Sequence, residues 1–170
     1  WSSDVCSSDL SVVAITSSTT LDPVSHGGRI ISVGGTLAAN VTLTLPTIDT
    51  SANPTTSGPG QDPSTANNQG VTYTIWVPTT IATSSLKIGT TSGSSDLFIG
   101  SVLSIDTDTS GATVGFTPNG SSNDFINLNG GTTGGVAGTW IQITAIAANK
   151  YMVTGVVLGT GTVATPFADS

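Results

Sequence analysis

The chain holds a single histidine, His26, with Ser25 beside it and Asp22 four residues earlier. These are the side chains of nucleophilic hydrolysis: a hydroxyl, an imidazole base and a carboxylate to orient it. The three groups of a triad converge from separate loops, and neighbours in one short stretch rarely reach that geometry. Pro23 and the Gly27–Gly28 pair make this stretch a turn, so His26 reads as a turn residue. Glutamate is absent, so a two-carboxylate site of the glycoside-hydrolase kind would fall to Asp96, Asp106, Asp108 or Asp124. Nothing in their spacing sets two of them across a cleft. Asp106–Gly111 (DTDTSG) matches the first half of a calcium loop, D-x-D-x-S-G. The complete loop needs a bidentate acid at its twelfth position, and Thr117 stands there. The stretch reads as a hairpin tip, with Asp106 and Asp108 as the metal candidates. The glycine-rich run Gly130–Gly138 lacks the Gly-Lys-Ser/Thr ending of a phosphate loop and reads as a turn needing positive φ. No catalytic residue and no cofactor is expected.

Charge narrows the partners. Of 170 residues only 8% are charged, and the net charge is −7. Neutralising nucleic-acid phosphates takes a cluster of cations, whereas Arg29, Lys87 and Lys150 are the only ones and lie far apart in sequence. Neither nucleic acid nor a membrane surface is an expected partner. No apolar run reaches the roughly 20 residues that a membrane-spanning helix needs. The one cysteine, Cys6, excludes an internal disulfide.

The elements that would position any site are strands. Thr and Val favour pleated surfaces, Gly, Asn and Pro favour turns, and helix formers are scarce. Asn40–Leu45 alternates Val41, Leu43 and Leu45 with threonines, and Pro46 ends it. Val71–Val77 puts Val71, Tyr73, Ile75 and Val77 on one face and Thr72, Thr74 and Trp76 on the other. A tryptophan on the polar face suggests that this face is covered too. Thr139–Ala147 alternates in the same way, with Trp140, Gln142 and Thr144 in the polar phase, and Tyr151–Leu158 returns as its hairpin partner through Asn149. Shorter strands are expected at Ser11–Thr16, Arg29–Val33, Leu86–Ile88, Leu97–Ile99, Val102–Ile105, Ala112–Phe116 and Phe125–Leu128. About nine to eleven short strands without a significant helix predict an all-β antiparallel sandwich of jelly-roll or Greek-key type.

Residues 1–10 (WSSDVCSSDL) differ in texture from the rest and repeat Ser-Ser-Asp. They resemble a translated sequencing-adapter scar and are set aside as non-native, with a disordered arm as the alternative. Residues 11–26 form an N-terminal arm, 27–159 the sandwich, and 160–170 a C-terminal tail. The stretch 47–70 is long for a loop of a compact domain, whose median is about 4–6 residues, and it is expected to order against a neighbour.

Several segments together resemble tailed-bacteriophage virion proteins, above all capsid decoration (cement) proteins. They are GGTLAANVTLTLP ending at Pro46, VTYTIWVP at Val71–Pro78, DLFIGS at Asp96–Ser101 and the closing hairpin from Gly134 to Phe167. The resemblance implies a structural subunit on the outer capsid surface of a virion, a homotrimer that clamps the major capsid protein. Two other readings stay open: a receptor-binding β-domain of a tail or head fibre, and a secreted bacterial surface or filament protein. In all three, function lies in contacts. The interface candidates are Val12, Val13 and Ile15 in the arm, Pro54, Pro59 and Pro63 in the long loop, Trp76 on its strand, and Pro166 and Phe167 in the tail.

Overall fold

A computed structural model describes residues 12–50, 68–108 and 111–169. The expected scar and the three loop prolines, Pro54, Pro59 and Pro63, lie outside the described residues. The described residues form twelve strands: β1 (Val13–Ala14), β2 (Thr19–Thr20), β3 (Ile30–Ser32), β4 (Val41–Thr44), β5 (Thr72–Trp76), β6 (Leu86–Gly89), β7 (Leu97–Asp106), β8 (Thr113–Phe116), β9 (Phe125–Leu128), β10 (Trp140–Ala147), β11 (Lys150–Gly159) and β12 (Phe167–Ala168). The described residues contain no helix. The fold is all-β.

The strands form a seven-stranded sheet, ordered β1-β3-β5-β10-β11-β7-β8, and a five-stranded sheet, ordered β12-β9-β6-β4-β2. Antiparallel pairing was expected throughout, and here the structure differs. Pairs β1/β3, β3/β5 and β7/β11 in one sheet, and β2/β4 and β4/β6 in the other, run parallel. The cause is the path of the chain. From β1 to β6 each successive strand enters the opposite sheet, so two crossings bring the chain back beside its earlier strand in the same direction. The remaining pairs are antiparallel, both between chain neighbours, β7/β8 and β10/β11, and between strands far apart in sequence, β5/β10 and β6/β9. The result is a mixed two-sheet sandwich.

Alternation builds its core. Ile31, Tyr73, Ile75, Ile141, Ile143, Tyr151 and Val153 face inward from the larger sheet and meet Leu43, Leu86, Ile88, Ile126 and Leu128 from the smaller one. Each fully buried side chain of this size contributes about 1.5–3 kcal/mol. The segments Leu97–Ile99 and Val102–Ile105, expected as two strands, are one strand. Gly100 bridges them at φ +101°, where a Cβ would overlap the Val153 carbonyl oxygen, so the strand continues through a kink that only glycine accepts.

The arm and tail are built into the sandwich. Val13 pairs with Ile31 in the larger sheet, Thr19 with Leu43 in the smaller, and Ile15 and Leu21 are buried between them. In the tail, Phe167 pairs with Ile126, and Pro166 and Phe167 are buried. The anchors of the long loop are also fixed. Asn68 accepts the Asp49 N–H at 2.9 Å and donates to the Thr47 carbonyl at 3.0 Å, and the buried Asp96 accepts the Ile48 N–H at 3.1 Å.

Candidate interaction surface

The outward positions of the larger sheet form the surface that the described residues leave uncovered. Inward residues of β5 and β10 fill the core, so the opposite phase must face solvent or a partner. Register aligns that phase into rows. Ser32, Trp76, Trp140, Val156 and Leu103 are successive partners across five adjacent strands. The next row holds Ile30, Thr74, Gln142, Thr154 and Ser101, and the one beyond it Thr72, Thr144, Met152 and Ile99. The Thr72 and Thr144 hydroxyls share a 2.8 Å hydrogen bond, which ties β5 to β10 on this face.

Trp76 and Trp140 sit directly opposite each other and are each 39% exposed. Cross-strand aromatic pairs of this kind stabilise a sheet by about 0.2–1 kcal/mol, yet two indoles left this open invite a further contact. Ile30, Leu103 and Met152 are exposed on the same face. Beside the tryptophan pair lies a groove of about 400 Å³ lined by Val12, Ile30, Thr74, Trp76, Gly138 and Trp140. Lys150, at the hairpin turn, is the one charged residue at an outward register position of these seven strands. The central rows carry only apolar, hydroxyl and amide side chains.

The interface candidates read from sequence divide accordingly. Val12 and Trp76 belong to this face. Trp76 was expected to be covered, and among the described residues it stays exposed. Val13 is half-buried and Ile15 buried, because the arm is an edge strand whose alternate residues turn inward. Pro166 and Phe167 are likewise spent on the core, because β12 completes the smaller sheet. Trp140 was not singled out. Its signal was present, since it shares the polar phase of its strand with Gln142 and Thr144, but its pairing with Trp76 depends on a register between strands 64 residues apart.

The residues that could do chemistry serve the backbone. His26 Nδ1 accepts the Asp22 N–H at 2.9 Å, and Asp22 Oδ1 accepts the N–H groups of Val24 and Ser25 at 2.9 and 2.8 Å. These bonds close a turn, and Asp22 does not orient the imidazole as a triad would require. Asp106 is buried and accepts the Asp108 N–H at 3.0 Å, while Asp108 Oδ2 accepts the Gly161 N–H at 2.7 Å and holds the start of the tail. Among the described residues no group of three or more His, Cys, Asp or Glu side chains is placed to hold a metal ion. The glycine-rich run is a turn, as expected, with Gly130, Gly134, Gly135 and Gly138 all at positive φ.

Burial pushes the Tyr73 and Tyr151 hydroxyls well above the usual tyrosine range, with Asp22 adding to the effect on Tyr73, and Tyr73 and Asp96 to that on Tyr151. Both are structural residues of the core. No protein-family model matches the chain, and neither the curated proteins nor the solved structures contain a significant match.

Proposed function

We propose that the chain is a structural virion protein, a decoration subunit that packs on the outer surface of a phage head against the major capsid protein and against copies of itself. The observation that carries this reading is the outer face of the seven-stranded sheet: Trp76, Trp140, Ile30, Leu103 and Met152 exposed together on one surface that carries no acid, in a chain with net charge −7. Contiguous exposed apolar surface marks a place where another molecule packs, and Trp and Met are enriched in the cores of such contacts. The segments that resemble decoration proteins support the reading by how they join. The Tyr151 hydroxyl in the closing hairpin donates to the carbonyl of Pro46 at 2.6 Å, and β7, from the DLFIGS segment, lies beside that hairpin. They act as joints of a rigid subunit. The hydrogen bonds of His26, Asp22, Asp106 and Asp108 favour a non-catalytic role.

Such a subunit works by repetition. Symmetric copies convert modest contacts into shell stability through avidity, and an uncharged interface holds across a wide range of salt. The test is thermal rupture of undecorated heads with and without the purified protein. A higher rupture temperature with the protein is expected, and a smaller gain with Trp76→Ser/Trp140→Ser. Equal rupture temperatures would remove the decoration role. One copy group per particle, instead of hundreds, would favour the fibre reading.

A further inference from the structure

We propose that the acid-free outer face of the seven-stranded sheet is taken by the same face of a second copy of this chain, across a twofold axis centred near Trp140 and Gln142. The inference rests on the reading of the chain as a structural subunit and names the partner on its main surface.

The placement of charge leaves this face open to a second copy. Copies of a protein at −7 repel one another, and net charge of this size favours separate molecules. A twofold contact is harder still, because it sets the same patch against itself, so an acid near the axis meets its own image. The central rows of this face meet that condition, since they carry no acid at all. β10, which bears Trp140 and Gln142, is the middle strand of the seven, so a twofold placed there lets the sheet cover its partner to both sides.

Area agrees. Leaving out the row of Lys150, the seven strands set 19 residues at outward positions, and each position occupies about 4.8 Å across the strands by about 6.8 Å along them. That is about 600 Å² per copy and about 1,200 Å² for a pair, above the roughly 1,000 Å² that a specific interface needs. The groove between Ile30 and the tryptophan pair would receive apolar side chains from the partner sheet, and sheets packed face to face lie about 10 Å apart. The threefold contact that the resemblance implies would have to use another surface.

Sedimentation velocity of the purified full chain, from 1 to 200 µM, tests this. A concentration-dependent monomer–dimer equilibrium is expected, persisting or tightening slightly between 0.05 and 0.5 M NaCl as repulsion is screened. Trp140→Asp and, separately, Gln142→Asp should each weaken the dimer at least tenfold while keeping the wild-type far-ultraviolet spectrum. Lys87→Asp, on the other sheet, should leave it unchanged. A wild-type chain that stays monomeric at 200 µM overturns the proposal. So does a dimer that both face variants leave intact, and so does tryptophan fluorescence of a monomer that shifts on adding a soluble oligosaccharide or empty heads, since the face then belongs to that partner. A monomer that still raises the rupture temperature of heads leaves the decoration role standing and removes only the second copy. A dimer that leaves heads unaffected does the reverse.

Discussion

Tyr151 and Tyr73 offer a matched pair of substitutions. Both are essentially fully buried, at 0% and 1% exposure, in the same core. The Tyr151 hydroxyl donates to the Pro46 carbonyl at 2.6 Å. The Tyr73 hydroxyl is buried without a hydrogen-bond partner among the described residues. Tyr151→Phe keeps the ring and its tilted contact with Phe98, whose centroid is 6.4 Å away, and removes only the bond. A net hydrogen bond contributes about 1 kcal/mol, and stranding a desolvated carbonyl raises the loss toward 1–3 kcal/mol. Pro46 is half-buried, so a loss of about 1.5–2 kcal/mol is expected. At roughly 2–4 °C per kcal/mol for a chain of this size, Tm should fall by about 3–8 °C. Tyr73→Phe removes a hydroxyl that already bears its desolvation cost, so stability should hold or rise by up to about 1 kcal/mol. Urea unfolding of both variants, with m-values matching wild type, reads the difference directly. Equal losses, or a greater loss for Tyr73→Phe, would refute the assignment of the Pro46–Tyr151 bond as a joint between the sheets.

The remaining expectations follow the same geometry. Both tyrosine hydroxyls have folded-state pKa values raised by burial. The folded state therefore keeps protons that the unfolded state loses near pH 10, and the stability this represents is fully present below pH 10 and lost above it. The slope should be about 1.4 kcal/mol per pH unit for each tyrosine, and urea midpoints from pH 8 to 11.5 should show it in wild type and not in the Tyr73→Phe/Tyr151→Phe double variant. Gly100→Ala forces a Cβ against the Val153 carbonyl at φ +101°, so the backbone strain and the overlap together should cost about 2–4 kcal/mol in chemical denaturation. Phe167→Ala should cost about 3–5 kcal/mol in the same assay if the tail completes the core, whereas an interface role alone would leave the isolated chain unaffected.

Strands were legible because their signal is local. Val41, Leu43 and Leu45 announce their strand by alternation, and Asn149 its turn, where it adopts φ 59°. Pairing was not legible, because whether β3 lies parallel to β5 depends on β4 having crossed to the other sheet, and no residue in either strand encodes that. The surface was half legible for the same reason. Trp76 stood out in a polar phase, but only register brings Trp140 beside it. The tail misled because Thr160–Thr165 looks solvated, and the burial of Phe167 is set by a vacant edge on β9, a property of the smaller sheet. Val13 and Ile15 misled in the same way, since apolar residues in an apparent arm serve equally well as an edge strand.

The most direct test of the structural role is electron cryomicroscopy of heads assembled with this chain. The expected map shows it on the outer surface in copy numbers set by the shell symmetry, with the Trp76–Trp140 face covered by protein. A map with that face open to solvent, or with no copies on the shell, would contradict it.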